Sequence, residues 1–94
     1  MDITLRLTKA LARLNNGQKE AMISLPDNCS MAKFIIHIDK AMPGSKDMVL
    51  NPNGNIADGI NIYVNGNNIR SLAGTDTLLS DGDTVGIIPA AAAG

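Results

Sequence analysis

Few residues in this 94-residue sequence have the type and the company that chemistry needs. The foremost candidate is the last one. Gly94 follows Ala90, Ala91, Ala92 and Ala93, a run with no bulk and no charge except the terminal carboxylate. Such a run has little to bury and no reason to fold. The group on offer is therefore an acid at the tip of a slim segment. The spacing predicts a domain over residues 1–89 that holds out a flexible C-terminal tail, residues 90–94.

The other candidates are weaker. Cys29 stands just before a predicted helix cap, where a helix N-terminus can lower a thiol pKa. It is the only Cys, and His37 is the only His. An inert, structural thiol and a solvated His37 are the expectation, and neither has the partners a metal site needs. Asp81 and Asp83 flank Gly82, but two carboxylates fall far short of a calcium loop. Asn65-Gly66-Asn67-Asn68 reads as a turn, not a phosphate cradle, because no helix start follows it. No Ser/His/Asp arrangement has support, so the chain reads as no enzyme on its own.

Composition narrows the class further. The chain is 45% hydrophobic and 18% charged, which suits one globular domain with a modest core. Eight basic and nine acidic residues leave a net charge of −1. With no basic stripe, one Tyr and one Phe, a nucleic-acid surface is not expected. No apolar run reaches the ~18 residues of a membrane helix, and the first residues do not form a secretory signal. A single Cys fits a reducing compartment, and cytoplasm is the expected location.

The elements that must position the tail follow from periodicity. Ile3, Leu5 and Leu7 alternate with Thr4, Arg6 and Thr8, which predicts a strand with one buried face. The pattern blurs from Ala10 to Leu14, turns at Asn15-Asn16-Gly17 and resumes over 18–25, with Ala21, Ile23 and Leu25 on one side. Ser30 caps a helix whose stripe is Met31, Phe34, Ile35, Ile38 and Met42. Lys33, His37 and Lys40 fall away from it, and Pro43-Gly44 stops it. Asp47 to Leu50 fit a half turn, and residues 51–55 read as loop. Ile60, Ile62 and Val64 make a third strand that ends at Asn65-Gly66, a strong turn signal. Ile69 and Arg70 begin an edge segment, and Leu78-Leu79 plug the core. The last strand runs from Thr84 to Ile88, with Pro89 ending the pairing. This order predicts an α+β fold, a mixed sheet of four to five strands packed on one helix: the β-grasp, or ubiquitin-like, layout.

Val64-Asn65-Gly66, then Asp81-Gly82-Asp83, then the tail after Pro89 resemble the small ubiquitin-like sulfur carriers of the MoaD/ThiS family. The resemblance spans nearly the whole chain. Length and the segment after the helix look more like the small subunit of molybdopterin synthase than the shorter thiamine carrier. The resemblance implies a carrier rather than a catalyst. It implies that the Gly94 carboxylate is adenylated by a ubiquitin-activator-like enzyme and becomes a thiocarboxylate. The sulfur then passes to the large subunit of molybdopterin synthase or another acceptor, with molybdopterin biosynthesis the leading pathway. No cofactor is bound; ATP is used by the activating enzyme.

Physical logic agrees with that implication. A carboxylate that must thread a narrow channel needs a run without side-chain bulk, as Ala90 to Ala93 provide. Gly at the terminus leaves the acyl carbon open on both faces. The family usually ends in Gly-Gly, whereas this chain ends Ala93-Gly94, which adds a methyl and makes positive φ costly at the penultimate position. Met22, Tyr63 and Ile36 lie off the inward sets; Met22 and Tyr63, exposed together, would form part of a docking patch on the sheet. The rival readings are a ubiquitin-like protein modifier joined through Gly94, a thiamine-type carrier, and a β-grasp subunit with an inert tail.

Overall fold

The computed structural model describes residues 1–89, so the expected tail at Ala90, Ala91, Ala92, Ala93 and Gly94 lies outside the described residues. The elements are β1 (Asp2–Leu7), α1 (Lys9–Ala12), β2 (Glu20–Ser24), α2 (Met31–Ala41), α3 (Ser45–Val49), β3 (Ile60–Val64), β4 (Asn67–Asn68) and β5 (Thr84–Pro89). They form one five-stranded sheet in the order β2-β1-β5-β3-β4. β1 and β5 run parallel, and every other pairing is antiparallel. This is the mixed β-grasp sheet expected, with α2 as its principal helix. Because β1 and β5 are parallel neighbours, the chain must cross over between them, and α2 lies on that route.

The alternation in β1, β3 and β5 has one cause. Ile3, Leu5 and Leu7, then Ile60, Ile62 and Val64, then Val85 and Ile87 all face inward and are buried. Met31, Phe34, Ile35, Ile38 and Met42 are buried with them, so the predicted stripe is the face α2 presents to the sheet. Phe34 is fully buried and heads the large buried side chains. Each large apolar side chain so buried favours folding by roughly 1.5–3 kcal/mol before ordering entropy is charged against it. Ser30 caps α2 as expected, its hydroxyl accepting from the Lys33 N–H at 3.3 Å. Lys33, His37 and Lys40 are exposed.

Five local expectations need correction. The blurred stretch after β1 is α1 followed by a 3₁₀ turn at Arg13–Asn15, and it buries Leu11 and Ala12 against the core. The half turn after α2 is a full short helix, α3. The Asp39 carboxylate accepts from Gly44 N–H at 3.2 Å and Lys46 N–H at 3.0 Å, and so ties the end of α2 to the start of α3. The edge segment falls two residues early: β4 is Asn67–Asn68, while Ile69–Ser71 is a 3₁₀ turn that plunges Ile69 into the core. Only half of the Leu78-Leu79 plug exists, since Leu79 is buried and Leu78 is 65% exposed. Pro89 also belongs to β5, opposite Ile60 at the strand's last position, where a missing N–H costs the ladder least.

Candidate functional site

The segment that leads to Gly94 is β5, and β5 is the central strand of the sheet. β1 holds it on one side and β3 on the other. The strand is anchored at its start by two turns that the sequence presents nearly twenty residues apart. Asn65 (φ 52°) and Gly66 (φ 86°) are both left-handed, the conformation a two-residue hairpin between right-twisted strands requires. The Asn65 carbonyl Oδ1 accepts from the Thr84 N–H at 2.9 Å, and its Nδ2 donates to Asp83 Oδ1 at 2.9 Å. Asp83 Oδ2 accepts from the Ser80 N–H at 2.8 Å.

The second turn ties the same corner to β1. Thr4 N–H donates to the Asp83 carbonyl at 3.0 Å, and Gly82 N–H donates to the Asp2 carbonyl at 2.9 Å. Asp81 Oδ1 accepts from the Asp2 N–H at 2.7 Å. Gly82 has φ 86°, so a side chain there would strain the turn. The V-N-G and D-G-D motifs are therefore one clamp, in which the Asp81 carboxylate accepts from a backbone N–H and that of Asp83 from a backbone N–H and the Asn65 amide. Among the described residues no group of His, Cys, Asp and Glu could hold a metal ion.

The outer face of the sheet carries the predicted docking residues. Register places Met22, Thr4 and Thr84 in one row, and Glu20, Arg6, Gly86, Tyr63 and Asn68 in the next. Met22 and Tyr63 share that face, but β1 and β5 separate their strands. At the usual strand spacing the gap is about 14 Å, so the two do not form one contiguous patch. Tyr63 instead neighbours Gly86 and, one row on, Ile88, which is 43% exposed. Gly86 leaves open space where a side chain would stand. Ile88 was missed as a surface residue. Its only sequence signal is that it follows Ile87 directly, so one of the two must face out. Ile36 is exposed on α2, away from the sheet's outer face.

Cys29 is buried at the entry to α2, and its thiol contacts the Ser30 carbonyl at 3.6 Å. Burial pushes its pKa up, and the nearby Lys33 ammonium only partly opposes this. The thiol thus stays protonated at neutral pH and is a poor nucleophile, in line with the inert reading. It lines a small open cavity of about 190 Å³ with Pro26, Asp27, Asn28, Lys33 and the exposed His37.

A mixed five-stranded sheet wrapped over one principal helix defines a ubiquitin-like β-grasp protein, with its last strand at the centre of the sheet. Residues 7–94 match the ThiS family, and the chain belongs to that family. The sulfur carrier protein CysO of Mycobacterium tuberculosis is 29% identical over 96 residues, with both chains covered in full. The crystal structure of M. tuberculosis CysO superposes with a TM-score of 0.83 at 28% identity, over 94% of this chain and 98% of that one. The small archaeal modifier protein 1 of Methanosarcina acetivorans superposes with a TM-score of 0.77 at 28% identity, over 94% and 91% of the two chains. A putative molybdopterin converting factor subunit 1 of Pyrococcus furiosus does so with a TM-score of 0.75 at 26% identity, over 95% and 97%.

Proposed function

We propose that this chain is a sulfur carrier and that Gly94 is its working residue. The observation that carries this reading is the extent of the family match, which runs through the whole of β5 to residue 94. In the proposed cycle a Gly94 carboxylate oxygen attacks the α-phosphorus of ATP on a ubiquitin-activator-like enzyme, and pyrophosphate leaves. A sulfide sulfur then adds to the acyl carbon, AMP leaves with the bonding pair, and a thiocarboxylate remains. Ala90, Ala91, Ala92 and Ala93 thread the partner's channel, while the outer sheet face around Tyr63 and Ile88 supplies the contact area that a bare tail lacks. The chain itself donates no catalytic group.

The acceptor is the finer part of the proposal. Likeness to the P. furiosus converting-factor subunit supports the large subunit of molybdopterin synthase. Likeness to CysO supports a sulfur acceptor of another kind. Both require the same thiocarboxylate. A reducing, cytoplasmic setting suits that thiol-like group. No helix among the described residues is long and apolar enough to cross a membrane. A second reading, a protein modifier linked through Gly94 to lysines, has the likeness to the archaeal modifier behind it.

The deciding experiment is intact-mass spectrometry of the full chain after incubation with a ubiquitin-activator-like enzyme, ATP and a sulfide donor. The expected product has one oxygen replaced by sulfur. An unchanged mass, beside a CysO control that does acquire sulfur from its own activator, would remove the carrier reading. Peptides bearing Ala93-Gly94 on lysine in a digest of the source cell would favour the modifier.

A further inference from the structure

β2 is an edge strand, and its outer edge is bare. Only β1 pairs with it. Leu7 N–H donates to the Lys19 carbonyl at 2.8 Å, and Leu25 N–H donates to the Met1 carbonyl at 2.8 Å. Both bonds lie on the register that joins Ile3 to Ile23 and Leu5 to Ala21. In an antiparallel ladder hydrogen-bonded pairs alternate with non-bonded ones. The backbone N–H and C=O groups of Glu20, Met22 and Ser24 must therefore point away from β1. No backbone or side-chain partner meets them among the described residues.

The usual protections of such an edge are missing here. β2 holds no Pro and no Lys. Its one formal charge, Glu20, is already met by Arg6 at 3.5 Å. On the outer side Met22, 65% exposed, stands between Glu20 and Ser24, and on the helix side Ala21 and Ile23 are half-buried.

We propose that β2 pairs with β2 of a second copy, antiparallel and about a two-fold axis at Met22. That register is self-complementary, as an isologous contact must be. It sets Met22 against Met22 and Glu20 against Ser24, so no like charges oppose. On the helix side it sets Ala21 against Ile23. A net charge of −1 offers little long-range repulsion between copies. Five-residue strands make a small interface, so the dimer belongs to the weak, concentration-dependent class. A strand from a different protein is the rival occupant, but this edge offers it no charge code to read. The pairing joins two sheets at β2 and leaves β5 at the centre of each. It does not depend on the sulfur-carrier reading.

The test is sedimentation equilibrium of the full chain across about a hundred-fold concentration range, with amide exchange read at both ends. The expected mass rises from monomer toward twice that value. At high concentration the amides of Glu20, Met22 and Ser24 slow, while those of Ala21 and Ile23 do not change. Met22→Pro removes one outward N–H without touching the β1 ladder, and Met22→Lys sets like charges on the axis. Both variants are expected to stay monomeric with an unchanged far-UV spectrum. A wild-type chain that is monomeric throughout overturns the proposal and leaves the edge to a foreign strand. A dimer that survives both substitutions, or survives Met22→Lys alone, overturns it too.

Discussion

At the residue scale the informative position is Asn65. Its backbone takes the left-handed turn conformation that Asn tolerates, and its side-chain amide bonds the first residue of β5, Thr84, with one end and Asp83 of the preceding turn with the other. Few other side chains can donate and accept from one planar group at that reach. Asn65→Ala should lose two hydrogen bonds and add left-handed strain, a cost of about 2 kcal/mol after allowance for its exposure. Asn65→Gly keeps the turn and loses only the bonds, so about 1 kcal/mol is expected. Urea melts of both variants separate the two contributions. A loss below about 0.5 kcal/mol for Asn65→Ala would mean that the clamp adds nothing to stability.

At the element scale the balance rests on α2. Its cap at Ser30, its buried stripe and its junction to α3 at Asp39 agree on where the helix begins, what it covers and where it ends. Phe34 is the one large aromatic in that stripe and has no exposed surface. Phe34→Ala should cost about 3–5 kcal/mol, since the cavity is bounded by strands that cannot collapse far. A denaturant melt showing less than about 1 kcal/mol would contradict its central placement. β2 is the opposite case. One side of it is fully paired and the other is not, so the same five residues serve the fold on one edge and remain available on the other.

At the scale of the whole molecule, the core is assembled from segments far apart in sequence. β1 begins the chain, β5 closes the described part of it, and they lie side by side. The N-terminal ammonium is tied in as well, donating to the Leu25 carbonyl at 2.7 Å. We place the folding unit at residues 1–89 and the working group beyond it. A chain ending at Pro89 should then match the full chain within about 0.5 kcal/mol in a urea melt and acquire no sulfur from activator, ATP and sulfide donor. A stability loss above about 1 kcal/mol would show that the division between body and tail is drawn in the wrong place.

Period-two and period-3.6 patterns by themselves determined β1, β2, β3, β5, α2 and the burial of their apolar faces. Those patterns are legible because each residue's side is set by local geometry, whatever lies across from it. The turns at Asn65-Gly66 and Asp81-Gly82-Asp83 were legible for the same reason. Tertiary structure alone decided that the two turns share hydrogen bonds, that Met22 and Tyr63 stand three strands apart, and that Ile88 joins Tyr63. Each of these depends on strand order and register, which contacts between distant segments select. α1 stayed hidden and the edge segment was placed two residues late because elements of four and two residues carry too little periodicity to fix them, and only the core they close gives them a reason to form.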